Sequence, residues 1–167
     1  KISLKIPQGV ETGSRLRLSG RGESGTRGGQ AGDLYVVIHV REHELFSRQE
    51  DEIICAMPVS FDVAALGGEL DVPTLDGFAQ LKIPPGTESG KVFRLKGKGM
   101  PHVNGYGRGD QHVQVTIEAP AGLGSLQKKL LKDCGAAMTR DNYPLAGRVR
   151  QLAEEFYERK QKLTERQ

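Results

Sequence analysis

The chain has 167 residues, of which 37% are hydrophobic and 5% aromatic, with no tryptophan, so its cores are expected to consist of Val, Ile and Leu. Its net charge of +3 is weaker than that of a dedicated nucleic-acid-binding domain, and its two cysteines form no Cys-x-x-Cys pair, which argues against a disulfide framework or a zinc site. The sequence has neither an apolar stretch of membrane-spanning length nor a signal peptide, so a cytoplasmic protein is expected.

Three short strands are predicted in the first 40 residues. Apolar residues recur at every second position in 2–6, 16–18 and 34–40, which is the period of a strand with one buried face. A glycine-rich segment, 20–32, separates the last two strands. Short strands between Gly and Pro turns favour small antiparallel sandwiches or barrels over a parallel sheet.

The region between 40 and 80 connects these strands to a second set. Residues 40–51 form a charged connector, residues 63–66 fit one helical turn, and Asp76-Gly77 is a strong hairpin signal. The three strands of the first set are then predicted again at 81–83, 92–95 and 113–117.

This recurrence reflects a repeat: residues 1–40 match residues 78–117 without insertion and with 15 identities. Both copies contain Leu-Lys-Ile-Pro-x-Gly-x-Glu-x-Gly, then Arg-Leu-x-Gly-x-Gly, then Gly-Asp. A shared period of this kind indicates two copies of one structural unit. An apolar segment, 52–59, precedes the second copy, whereas Lys1 already lies inside the first. We therefore expect a C-terminal fragment whose first unit begins in upstream sequence.

Two helices are predicted after Pro120. Ser125 is expected to cap the first, whose apolar stripe has i, i+4 spacing: Leu126, Leu130, Leu131, Cys134 and Met138. The second begins at Pro144, a favoured first-turn residue, and has apolar residues at 4-3-4 spacing: Leu145, Val149, Leu152 and Phe156. So narrow a seam needs a partner, which is either the β unit or another copy of itself.

The predicted fold is therefore mainly all-β, with two small antiparallel β-sandwich or barrel subdomains in series, followed by C-terminal α-helices. Residues 1–42 form the C-terminal part of the first subdomain, whose opening strands lie upstream. Residues 43–120 form the second subdomain, and residues 121–167 form the helical segment.

No residue pattern indicates catalysis, and the chain is predicted not to be an enzyme. The histidines lie on polar strand faces or in loops without a second ligand at metal-binding spacing: His39, His43, His102 and His112. Asp33 and Asp110 occupy equivalent positions of the repeat, which favours a role in a turn over an acid–base pair. A hydrolase using Asp33 or His43 is the least favoured alternative.

Two binding modes remain. Basic residues of the two copies could contact phosphates, but they lack an aromatic platform for bases, which favours a solvated face: Arg15, Arg17, Arg94 and Lys96. Apolar strand residues could instead accept an extended peptide by strand addition, with Ile2, Leu4, Leu16, Leu18, Val36 and Ile38 as candidates in the first unit.

Several motifs follow one another in a fixed order along residues 1–135. They are the two Lys-Ile-Pro-x-Gly segments, the Arg-Leu-x-Gly-x-Gly strands, Gly32-Asp33-Leu34-Tyr35-Val36, His43-Glu44-Leu45-Phe46-x-Arg48, Ala64-Ala65-Leu66-Gly67-Gly68, Val72-Pro73-Thr74-Leu75-Asp76-Gly77 and Gly97-Lys98-Gly99-Met100-Pro101. Together they resemble the C-terminal client-binding and dimerisation region of DnaJ-type J-domain co-chaperones. Glu44 and Glu50 depart from that pattern, which more often has Pro and Gly there.

The resemblance implies a homodimer that binds unfolded polypeptide clients in an apolar groove by adding a strand. Carried over by position, the groove falls on Ile2, Leu4, Leu34 and Val36. The dimerisation segment falls within 121–167, on Leu123, Leu126, Leu130 and Leu131.

In that family, a J domain upstream delivers clients to a DnaK-type chaperone. The J domain and the cysteine-rich zinc module are absent from this sequence. No cofactor is therefore expected in this chain, and zinc would belong to the upstream module. Neither nucleic acid nor membrane is expected as a partner. The alternatives are a nucleic-acid-associated J-protein module and a pure dimerisation scaffold.

Overall fold

A computed structural model describes residues 2–25, 29–103 and 105–164, and the chain divides into two compact units, Lys1–Ala119 and Pro120–Gln167. The first unit contains β1 (Arg15–Leu18), β2 (Leu34–Val37), β3 (Ser47–Gln49), β4 (Glu52–Ser60), α1 (Phe61–Leu66), β5 (Gly68–Thr74), β6 (Gly77–Ile83), β7 (Val92–Leu95) and β8 (Gln111–Glu118). The second contains α2 (Ser125–Ala137), a 3-10 turn (Arg140–Asn142) and α3 (Pro144–Thr164). The predicted fold class, mainly β with C-terminal helices, is confirmed.

The first copy of the repeat forms a two-stranded antiparallel sheet of β1 and β2, in which Leu16 is paired with Val36. The strand predicted at 2–6 is wrong, because this segment pairs with no strand among the described residues. Its counterpart in the second copy lies in β6, which is paired along its length with β5. An isolated segment gains no ladder hydrogen bonds, so alternation alone does not make it a strand.

The second copy is built into a four-stranded sheet in the order β3-β4-β8-β7, together with the β5–β6 hairpin. The strands predicted at 81–83, 92–95 and 113–117 are confirmed in β6, β7 and β8. Most pairs are antiparallel, but β4 and β8 run parallel, with Cys55 opposite Val113. Parallel strands need a long connection, and here α1, β5, β6 and β7 provide it.

An apolar core lies between the β5–β6 hairpin and the four-stranded sheet. Val72, Val113 and Val115 are fully buried, and α1 adds the buried Ala64. Each buried valine contributes about 1.5–3 kcal/mol relative to an exposed one, so this cluster stabilises the second copy strongly.

The repeat is also visible in the backbone. Gly13 donates its N–H to the Ile38 carbonyl at 2.8 Å, and Gly90, 77 positions later, donates to Val115 at 2.7 Å. Both glycines have left-handed backbone angles, with φ of 91° and 89°, which side chains rarely tolerate. The two copies therefore share turn geometry as well as sequence.

Both predicted helices are confirmed in the second unit. Ser125 is the first residue of α2 and not its cap, because Gly124 takes the N-cap position and donates its N–H to Gln127 Oε1 at 2.8 Å. The side chain at the third helical position thus supplies the cap. In the part of the chain that the structure describes, no helix is both long and apolar enough to cross a membrane.

Candidate functional site

The two-stranded sheet of the first copy has one apolar face, which we call the β1–β2 face. It consists of two cross-strand pairs, Leu16 with Val36 and Leu18 with Leu34, and all four side chains are half-buried. The other face is exposed and carries Arg15, Arg17, Tyr35 and Val37. This alternation follows directly from the strand period of two.

The second copy has the same register but a different degree of burial. Phe93 is paired with Val113 and Leu95 with Gln111, each 77 positions from its counterpart on the β1–β2 face. Val113 and Gln111 have 0% exposure, and Phe93 and Leu95 pack against the core. The same pairing thus builds a closed core in one copy and a partly open apolar face in the other.

The strand edges differ in the same way. β8 is flanked on both sides, by β7 and by β4, whereas β2, its counterpart, is paired only with β1 among the described residues. An unpaired edge presents backbone N–H and C=O groups that a further strand can bind. The β1–β2 face and the open edge of β2 therefore form the candidate site.

Of the four predicted groove residues, the structure places Leu34 and Val36 on this face, where they pair with Leu18 and Leu16. Ile2, 52% exposed, and the half-buried Leu4 lie in the segment before β1. Their contribution to a groove remains a prediction.

Asp33 and Asp110 hold equivalent turns, as predicted. Asp33 Oδ1 accepts a hydrogen bond from the Gly20 N–H at 3.0 Å, and Asp110 Oδ1 accepts one from Gly97 at 2.7 Å. The Gly20 N–H, and then the Arg17 guanidinium, lower the pKa of Asp33 below its ordinary value. Each carboxylate therefore serves its own turn.

The basic residues of the two copies are partly neutralised by these carboxylates. Arg17 forms an ion pair with Asp33 at 2.6 Å, and Arg94 lies 3.5 Å from Asp110. Two of the four basic residues that could contact phosphates are thus already engaged. This lowers the local positive charge on which a nucleic-acid interface would depend.

The connector between the copies has a role that sequence reasoning did not find. The half-buried Arg48 of β3 donates hydrogen bonds to the carbonyls of Gly9 at 2.7 Å and Val10 at 2.8 Å, and lies 3.2 Å from Glu11 Oε1. It borders a pocket of about 730 Å³ whose apolar lining is Val40, Phe46, Ile53, Leu75 and Met100. A backbone carbonyl has no sequence signature, so nothing predicted this contact.

Two histidines each contact a carboxylate. His102 Nδ1 lies 2.6 Å from Asp51 Oδ2, and His112 Nε2 lies 2.8 Å from Glu52 Oε2. Glu52, the first residue of β4, thus lies beside His112 of the neighbouring strand β8. Across the described ranges, no group of three His, Cys, Asp or Glu side chains could hold a metal ion.

The predicted dimerisation residues lie at the start of the second unit. Leu126 and Leu130 of α2 are 69% and 58% exposed, while Leu123 and Leu131 are half-buried. The stripe is therefore available to a partner.

The chain is thus a mainly β protein with a duplicated β unit and C-terminal helices. A family model described as the DnaJ C terminal domain matches residues 1–120, and the chain belongs to this family. It is a chaperone family and not an enzyme family.

Individual relatives agree with this assignment. The chain is 54% identical to the chaperone protein DnaJ of Bacillus cytotoxicus over 142 residues, covering 85% of this chain and 39% of that protein. The DnaJ proteins of Bacillus mycoides and Bacillus cereus are also 54% identical over 142 residues, with 39% and 38% of their lengths covered. The chain thus spans about 39% of the length of these relatives.

Proposed function

We propose that this chain is the client-binding part of a DnaJ-type co-chaperone and binds unfolded polypeptide by strand addition at the open edge of β2. The observation that carries the proposal is the contrast between the two copies. The pairs that form a closed core in the second copy form an accessible apolar face in the first. Family membership makes an unfolded polypeptide the appropriate ligand.

The chemistry of the site suits a ligand without a fixed sequence. Backbone hydrogen bonds to β2 are available to any polypeptide, and the β1–β2 face asks only for aliphatic or aromatic side chains at alternate positions. The half-buried leucines and valine leave limited area to cover, so each client side chain adds only a modest free energy. Weak binding of this kind allows release.

We further propose that α2 pairs two copies and that the parent protein passes its clients to a DnaK-type chaperone. The exposed leucines of α2 support the pairing, because a soluble helix rarely leaves such a stripe uncovered. The names of the relatives support the co-chaperone role.

Val36→Asp tests the binding site. Val36 lies on the β1–β2 face opposite Leu16, so an aspartate there would have to lose its hydration when a client covers it. We expect the Kd for a fluorescently labelled unfolded polypeptide to rise about tenfold or more, which corresponds to roughly 1.4 kcal/mol. Fluorescence anisotropy with the 167-residue chain measures this change.

Val37→Asp is the matched control. Val37 is the next residue of β2, is 49% exposed and points to the opposite face, so its Kd should stay within about twofold. Circular dichroism of both variants checks that the fold is retained. Equal weakening by the two variants, or unchanged binding by Val36→Asp, would refute the proposed site.

A further inference from the structure

The pocket beside Arg48 lies where the first copy, the connector and the second copy meet. Its volume of about 730 Å³ is within the range of small-ligand sites, and its apolar lining is open, because Val40 and Leu75 are 48% and 38% exposed. We propose that this pocket is a second anchor for clients and takes one bulky apolar side chain, such as Phe or Leu, of an unfolded polypeptide. The class of ligand rests on the proposed function, whose site this inference extends.

The apolar face of β2 leads to this pocket. Beyond the end of β2, Ile38 donates its N–H to the Ser14 carbonyl at 2.9 Å. Val40 likewise donates its N–H to Thr12 Oγ1 at 2.9 Å. Because alternate residues along a strand share one face, Val40 continues the row that contains Val36 and Ile38. At the rise of a strand it lies roughly 13 Å from Val36, so a client five residues long reaches both.

The polar groups beside the apolar lining are already engaged. The Arg48 guanidinium binds the carbonyls of Gly9 and Val10 and lies 3.2 Å from Glu11 Oε1. The Thr12 hydroxyl is bonded to Val40. These groups therefore offer little to a polar ligand, whereas an apolar side chain gains free energy simply by leaving water.

The rim of the pocket carries exposed residues of both charges: Arg41, Glu42, His43 and Glu50. A rim of mixed sign favours neither an anionic nor a cationic ligand. It suits a polypeptide, whose backbone stays in water at the rim while one side chain enters the pocket.

One wall of the pocket is aromatic. The centroid of the half-buried Phe46 ring lies 5.0 Å from that of His43, and the two rings are tilted by 37°. The Leu45 N–H donates to His43 Nδ1 at 3.1 Å, which holds this ring in place. A further ring gains from such a wall beyond the area it buries, and the Met100 sulfur adds a favourable partner for it. We therefore expect Phe to be preferred.

Two fluorescently labelled nine-residue peptides test the proposal on the unsubstituted 167-residue chain. Both contain three valines at alternate positions, separated by threonine. One has Phe four residues from the central valine on both sides, so that a client of either direction brings one Phe to the pocket, and the other has Ser there. We expect the Phe peptide to bind about tenfold more tightly by fluorescence anisotropy. Equal Kd values for the two peptides would overturn the proposal.

Leu75→Gln shows whether the gain arises in the pocket. Glutamine is similar in size to leucine, but a client side chain that covers it removes water from its amide. In this variant the Phe peptide should bind within about twofold of the Ser peptide, whose own Kd should not change.

Phe78→Gln is the matched control, because Phe78 lies in the same β5–β6 hairpin, is 79% exposed and does not line the pocket. It should keep the tenfold difference between the peptides, and circular dichroism of both variants checks the fold. A Phe peptide that loses its advantage in both variants, or in neither, contradicts the pocket.

Val36→Asp separates this inference from the proposed function. It should weaken binding of both peptides about tenfold and leave their ratio unchanged. If it leaves the Ser peptide unaffected, the β1–β2 face is wrong as a client site, and the pocket stands if Leu75→Gln still removes the advantage of the Phe peptide. If it weakens both peptides while the Phe peptide never binds more tightly, the proposed function stands and the pocket is wrong.

Discussion

Glu50 has a backbone conformation that side chains other than glycine rarely adopt, with φ of 53°. Among the described residues it is the only non-glycine with a positive φ. It is the first residue of the two-residue turn between β3 and β4, in which Gln49 is paired with Glu52. Two-residue hairpin turns need a positive φ at this place, and glycine meets that need without steric cost.

Replacing Glu50 with Gly should therefore stabilise the chain. A left-handed conformation costs a residue with a Cβ about 1–2 kcal/mol, part of which glycine loses again as unfolded-state entropy. We expect a net gain of about 0.5–1 kcal/mol, measured as an increase in the free energy of urea unfolding. Gln49→Gly, one residue earlier in β3, should cost about 0.5–1 kcal/mol. A loss of stability in Glu50→Gly would contradict the conclusion that the backbone at Glu50 is strained.

At the scale of elements, the apolar period identifies most of what the structure contains. Strands β1, β2, β6, β7 and β8 follow from alternation, and α2 and α3 follow from their stripes, because each element buries or presents one face. The segment at 2–6 has the same alternation without becoming a strand, because pairing depends on a distant partner. For the same reason the parallel β4–β8 pair could not be predicted.

The candidate site, too, could be predicted only in part from the sequence. Leu34 and Val36 could be placed on one face from alternation, and their resemblance to a known groove pointed to them. The difference in burial between the copies could not be predicted, because it depends on what the β5–β6 hairpin and β4 cover. Arg48 was also missed, since its acceptors are carbonyl groups 38 and 39 positions away.

The α2 stripe leads to a prediction at the element scale. Leu126→Asp/Leu130→Asp places two charges where the proposed dimer would bury leucines, and a buried unpaired charge costs several kcal/mol. We expect the mass from light scattering to fall from that of a dimer to that of a monomer. Lys128→Asp/Lys132→Asp, with the same spacing on the opposite side of α2, should keep the dimer mass. An unchanged mass in the leucine variant would exclude α2 as the dimer contact.

At the scale of the whole first unit, the two copies are joined by polar contacts more than by a shared apolar core. Arg48 of the connector binds the turn at 9–11 of the first copy, and Asp51 binds both the Met100 N–H and His102 of the second. Gly9 allows the two copies to approach closely, because a Cβ at this position would overlap the Pro101 carbonyl oxygen. The orientation of the β1–β2 face relative to the core therefore depends on a few hydrogen bonds.

Arg48→Met tests this dependence, because methionine keeps the length of the side chain and removes its donors. Two partly buried carbonyls lose their partners, so we expect a loss of about 1–3 kcal/mol in stability and faster amide hydrogen exchange in β1 and β2 than in β8. Arg41→Met, which removes an exposed arginine from the same pocket rim, should change neither the stability nor the exchange rates.

Arg48→Lys keeps the charge of the side chain but not the planar guanidinium. Partial protection of β1 and β2 in this variant would show that geometry as well as charge holds the copies together. Uniform acceleration of exchange across all strands would mean instead that the unit unfolds as one body and that Arg48 stabilises it without orienting its first copy.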